Sequence, residues 1–197
     1  MTDLSRRAAL RRLALGGAAA ATAPLWIDTL LADAADHAVH YHQAAAAAKA
    51  FTPKVFDAAQ YKTVTALAEL IIPQTDTAGA TKAKVNEFID AALAGAASDD
   101  RQKFLDGLAW IDARSRTDNG APFVDAPSDK QIALLTALSA NTVPSPADRP
   151  GVEFFTAVKG LTVTGYYTSE VAAREEVVDT GQMFFTEFKG CTHPEHQ

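Results

Sequence analysis

The sequence predicts an all-α fold, a compact single-domain bundle of about five helices ending in an irregular C-terminal tail, and three observations carry that prediction. From residue 51 onward the apolar residues recur at three- and four-residue intervals, the period of a helix with one buried face. Alternation of β-branched and polar residues over four or more positions, the mark of a half-buried strand, is nearly absent. Capping and turn residues divide the apolar runs into segments of helical length.

The first body helix opens at Asp57, where Gln60 three positions on completes a capping box. Tyr61, Val64, Leu67, Ala68 and Ile71 then form one stripe, and Pro73 closes the segment. A turn over 75–80 leads to a second stripe of Val85, Phe88, Ile89, Ala92 and Leu93, ending near Gly95. Ser98 opens the third helix, with Phe104, Leu105, Leu108 and Ile111 facing inward until Asn119-Gly120 stops it. Ser128 and Gln131 read as a second capping box, leading into Ile132, Leu134, Leu135 and Leu138. Pro144, Pro146 and Pro150 predict a stiff, non-helical connection. A fifth helix starts near Gly151, with Phe154, Phe155, Val158, Leu161 and Thr162 on its buried side, and Gly165 as its end. Burying each such Phe or Leu is worth roughly 1.5–3 kcal/mol, so five stripes suffice for a core. The tail from Thr180 is the least regular part.

Composition narrows the function classes. The chain has 197 residues, of which 48% are hydrophobic and 21% charged, the balance of a globular protein. Its formal net charge is −6, with no basic stripe outside the first twelve residues, which argues against a nucleic-acid binder. No uninterrupted apolar run reaches the ~18 residues of a membrane span; Gly16, Gly17, Thr22 and Pro24 break the stretch over 13–27. One cysteine, Cys191, permits neither an intramolecular disulfide nor a cysteine-based zinc cage.

The N-terminus reads as an address. Ser5-Arg6-Arg7 precedes a mild, Ala-rich apolar stretch, the twin-arginine export pattern, and Ala32-Asp33-Ala34 offers a small-x-small cleavage site. The sequence therefore divides into a signal segment over 1–34, an Ala- and His-rich linker over 35–50 and a helical domain over 51–197. This predicts a periplasmic protein exported in the folded state. His37, His40 and His42 in the linker lack a carboxylate or cysteine to complete a metal site.

No short signature of cofactor or catalytic chemistry is present. There is no G-x-G-x-x-G, no G-x-x-x-x-G-K-[ST], no H-E-x-x-H, no C-x-x-C-H and no G-x-S-x-G. Two features remain. Cys191, His193 and His196 could supply three ligands to zinc or copper, but Pro194 and the terminal position oppose preorganisation. Alternatively, Cys191 tethers the chain to another subunit, or is an inert packed thiol. Gly165 is followed by Tyr166, Tyr167, Thr168, Ser169 and Glu170, a candidate interface because tyrosine is large, stiff and amphipathic. The competing structural account has Tyr166 in the core and Ser169 capping the next helix.

In their order and spacing several stretches resemble the gluconate 2-dehydrogenase subunit 3 family. They are the twin-arginine leader, the run over 70–80 from Leu70-Ile71-Ile72-Pro73 to Gly79-Ala80, Val85-x-x-Phe88-Ile89-Asp90, Phe154-Phe155 with Lys159-x-Leu161-Thr162, the run over 165–170, and Gly190-Cys191-x-His193. The chain departs from the family pattern in the loop over 119–129 and in the proline-rich connection. The resemblance implies a small, non-catalytic subunit of an FAD-dependent periplasmic sugar dehydrogenase. It implies a large partner of the glucose-methanol-choline type that holds the FAD, and a multihaem cytochrome c as electron acceptor. No cofactor is expected in this chain. The expected role is escort and stabilisation, with Arg6 and Arg7 supplying the address, and with 166–170 and Cys191 meeting the partner. The main alternative is a stand-alone exported metal-binding or redox protein using Cys191, His193 and His196.

Overall fold

Asp57 begins the first predicted body helix as its spacing to Gln60 requires. The Gln60 amide donates to Asp57 Oδ1 at 2.8 Å, and the Asp57 amide donates to Gln60 Oε1 at 2.9 Å. The computed structural model describes residues 24–47, 51–140 and 144–175, without the side chains at 39, 40 and 42–47. Among them every regular element is helical: α1 (Leu25–Ala47), α2 (Ala58–Ile71), α3 (Val85–Gly95), α4 (Ser98–Asn119), a 3₁₀ turn (Phe123–Asp125), α5 (Ser128–Ala140), α6 (Arg149–Tyr167) and α7 (Glu170–Glu175). The all-α prediction holds, and the five predicted body helices are α2 to α6.

Helix α6 is the axis of the bundle. It packs against α1, α2, α3, α4 and α5, and buries Gly151, Phe154, Phe155, Ala157, Val158, Leu161, Thr162, Gly165 and Tyr166. A helix surrounded in this way has to be apolar around most of its circumference. Glycines set its closest approaches. A Cβ at Gly107 of α4 would collide with Phe154 Cβ, and one at Gly165 would sit 3.0 Å from Phe88 Cγ. Gly165 therefore does not end the helix, which continues to Tyr167; it makes room for α3. Helix α4 ends as predicted at Gly120, whose φ of 76° is left-handed and whose amide donates to Arg116 O.

Two local expectations are corrected. Pro150 lies inside the first turn of α6, where its missing N–H removes no intrahelical bond, so the non-helical connection is shorter than predicted. Gln131 does not reach back to Ser128. Its amide donates to Phe123 O at 2.7 Å, which fixes the 3₁₀ turn against α5.

The largest difference lies N-terminal to the body. The division into a signal segment over 1–34 and a linker over 35–50 is crossed by α1, which runs through the boundary unbroken. Ile27, Leu30, Ala34 and Ala38 fall on one face and are 1% exposed or less, with Trp26 beside them. They pack on α6 and α3. Alanine is the strongest helix former and its small side chain permits close packing, so the composition that suits a mild export segment also suits a core helix. Burying Ile27 and Leu30 contributes about 1.5–3 kcal/mol each, a large share of a typical net stability of about 5–15 kcal/mol.

Candidate functional site

The loop between α2 and α3 is tied down by three acidic or phenolic side chains from elsewhere. Glu69, near the end of α2, accepts the amides of Gln74 at 2.8 Å and Thr81 at 2.9 Å. Burial alone would raise its carboxyl; the Thr81 hydroxyl and amide and the Gln74 amide outweigh that and hold it below the usual glutamate value. From α7, Glu175 accepts the Ala78 amide at 2.7 Å and pairs with Lys82 at 3.3 Å. From α6, the Tyr166 hydroxyl donates to Ala78 O at 2.7 Å. Both polar groups of Ala78 are thus held by side chains nearly a hundred residues away. Gln74, Thr75, Asp76, Thr77, Ala78, Lys82 and Glu175 line a shallow, open, polar groove.

These contacts sort the candidate interface residues. Tyr166 is fully buried and meets Tyr167 edge-on at 5.2 Å. Ser169 is also buried; its hydroxyl donates to Tyr166 O at 2.6 Å and accepts the Ala172 amide at 3.2 Å, starting α7. A buried phenol needs an acceptor and a helix start needs a cap, so Tyr166 and Ser169 serve the fold. Their assignment to a partner surface is corrected. Tyr167 is half-buried, while Thr168 and Glu170 are exposed. Those three can meet another chain. Arg6, Arg7, Cys191, His193 and His196 lie outside the described residues.

Asp90 is the polar residue that the sequence reading left without a role. It is fully buried on α3 and its carboxylate accepts three backbone amides, from Lys54 at 2.7 Å, Val55 at 3.0 Å and Phe56 at 3.0 Å. The signal available was a lone acid within the apolar run Phe88-Ile89-Asp90-Ala91-Ala92-Leu93. Such a residue is retained inside only when hydrogen-bonded. Tyr41 and Tyr61 are pushed above the ordinary tyrosine value, by burial first and then by Glu87 and Asp90 among their neighbours. Neither is a base at neutral pH. Lys159 lies over the Phe155 ring at 5.7 Å, and burial pushes its ammonium below the ordinary lysine value.

Among the described residues no group of three or more His, Cys, Asp or Glu is placed to hold a metal ion. His37 is exposed on α1, and the side chains of His40 and His42 are outside the description. None of the described helices is long and apolar enough to cross a membrane. The strongly bonded polar groups, Asp90, Glu69 and Tyr166, all hold backbone in place.

A family model for gluconate 2-dehydrogenase subunit 3 matches residues 58–183. The chain belongs to that family. The match begins at the start of α2, and so includes the α2–α3 loop, Asp90 and the 165–170 run, while α1 precedes it. Neither the curated proteins nor the solved structures gave a match. As a member of the gluconate 2-dehydrogenase subunit 3 family, the chain is a subunit of a dehydrogenase complex and has a catalytic partner.

Proposed function

We propose that this chain is the small, non-catalytic escort and stabilising subunit of an FAD-dependent dehydrogenase of the glucose-methanol-choline type, acting on a sugar or sugar acid in the periplasm. The observation that carries the proposal is the pairing of family membership with Ser5-Arg6-Arg7 ahead of a mild apolar stretch. The large subunit folds around its FAD in the cytoplasm and leaves with this chain, which supplies the export address for both. The FAD belongs to that partner, and no residue of this chain is assigned to it. Electrons pass from the flavin to a multihaem cytochrome c. Tyr167, Thr168 and Glu170 contribute to the surface that meets the large subunit.

Replacing Arg6 and Arg7 together by lysine is expected to leave both this chain and its flavoprotein partner in the cytoplasm. Cell fractionation with blots against each chain measures it. A partner still reaching the periplasm beside the Arg6→Lys/Arg7→Lys chain means that it has another route, and the escort role is wrong.

Cys191 is the chain's one cysteine, so in an oxidising compartment any disulfide it forms has its other half in another chain. We assign that bond to the large subunit, with Gly190 allowing a close backbone approach. The two chains are expected to migrate together on a non-reducing gel and apart after reduction, and Cys191→Ser to abolish the joint band. Separate migration without reductant rules the tether out.

A further inference from the structure

Helix α1 is bonded into the domain along the stretch that a cut after Ala34 would remove. Trp26 Nε1 donates to Glu153 Oε2 of α6 at 3.1 Å, and Thr29 Oγ1 donates to Asp100 Oδ2 of α4 at 3.0 Å. Leu31 occupies the space left by Gly160 of α6, where a Cβ would lie 2.7 Å from Leu31 Cδ2. Ile27 and Leu30 are core residues, and Ala34 itself is 1% exposed within the helix. Peptidases take exposed, extended chain. Once the domain has folded, Ala32-Asp33-Ala34 is helical rather than extended, and Ala34, the residue before the cut, is buried, with Ala32 and Asp33 on the exposed side of the helix. The export route proposed above delivers folded cargo, so the peptidase meets that site already packed.

We propose that the leader is cut upstream of Pro24, after Ala21 or Ala23, and that all of α1 stays in the exported protein. Ala19-Ala20-Ala21 and Ala21-Thr22-Ala23 both present small side chains at the first and third positions before the cut, the pattern that a leader peptidase accepts. Hydrolysis breaks the peptide C–N bond. The hydroxyl of water goes to the acyl carbon of Ala21 or Ala23, and the proton goes to the departing nitrogen of Thr22 or Pro24. Either product keeps the Pro24 carbonyl, which accepts the Ile27 amide at 2.9 Å and starts the helix. This inference rests on the export reading.

The test is the intact mass and N-terminal sequence of the full chain recovered from the periplasm. A start at Thr22 or Pro24 is expected. A start at Ala35, or a periplasmic chain still carrying Met1, overturns the inference while leaving export intact. A chain confined to the cytoplasm overturns the export reading itself, and this inference with it. Two variants sharpen the result. Ala32→Lys changes an exposed position of α1 and removes the small residue that a cut after Ala34 requires; the start of the exported chain is expected to stay the same. Ala21→Lys removes the small residue shared by both upstream triads and is expected to abolish both products. The opposite pattern, with Ala32→Lys blocking processing and Ala21→Lys leaving it unchanged, overturns the assignment.

Discussion

Asp90→Ala is expected to unfold the domain, or to leave it barely folded under conditions where the natural chain is stable. The carboxylate is fully buried and is the acceptor for three consecutive backbone amides, those of Lys54, Val55 and Phe56. Removing it strands donors in a site closed to water, at about 1–3 kcal/mol for each one left unmade. Losing the buried charge offsets part of that. The net loss is on the order of 3–5 kcal/mol, set against a total of about 5–15 kcal/mol for a domain of ordinary stability. Phe56 is buried beside Phe104, with ring centroids 6.2 Å apart, so the loosened strap would also open the apolar core. Asp90→Asn keeps one carbonyl oxygen but turns an amide toward the donors, and is expected to fall between. Asp57→Ala, which removes only a helix cap, is expected to cost about 1 kcal/mol. Urea unfolding at neutral pH orders the three. An Asp90→Ala midpoint equal to that of the natural chain would show that the strap contributes nothing.

The contrast between Asp57 and Asp90 shows what was legible in the sequence. The partner of Asp57 is three residues away, and the capping geometry is local enough to be written in the spacing to Gln60. The partners of Asp90 are 34–36 residues away, so its role exists only after α3 has docked on the segment before α2. Tyr166 is a similar case, since its acceptor at Ala78 comes from the far side of the chain. A tyrosine pair carries no sign of whether a phenol points outward or into such an acceptor. Gly120 was legible because a left-handed residue after a helix needs no tertiary context. Helix α1 was not legible as part of the bundle for a physical reason. Alanine-rich, mildly apolar sequence satisfies an export segment and a closely packed helix alike, and only the contacts of Trp26, Ile27 and Leu30 with the body distinguish them.

Gly107→Ala is the sharpest test of how α4 and α6 meet, because local and tertiary effects predict opposite signs. Within a helix, alanine is favoured over glycine by roughly 0.5–1 kcal/mol, so propensity alone predicts a more stable protein. The geometry predicts the reverse. A Cβ at Gly107 would collide with Phe154 Cβ and lie only 2.8 Å from Phe154 Cγ. Phe154 Cβ is bonded directly to the backbone, and no rotation of the side chain can move it aside. The helices would have to separate, pulling Phe154 from its edge-on contact with Phe104, now 5.0 Å between centroids. Overpacking of this kind costs typically 1–3 kcal/mol, enough to outweigh the gain in propensity, and Gly107→Leu should exceed it. Gly95→Ala is the control. It lies exposed at the end of α3, where an added Cβ would come no closer than 3.5 Å to His37 Nε2. That variant is expected to match the natural chain or exceed it slightly. Paired thermal and urea unfolding curves decide the matter: if Gly107→Ala is as stable as Gly95→Ala, α4 and α6 do not cross at the distance described.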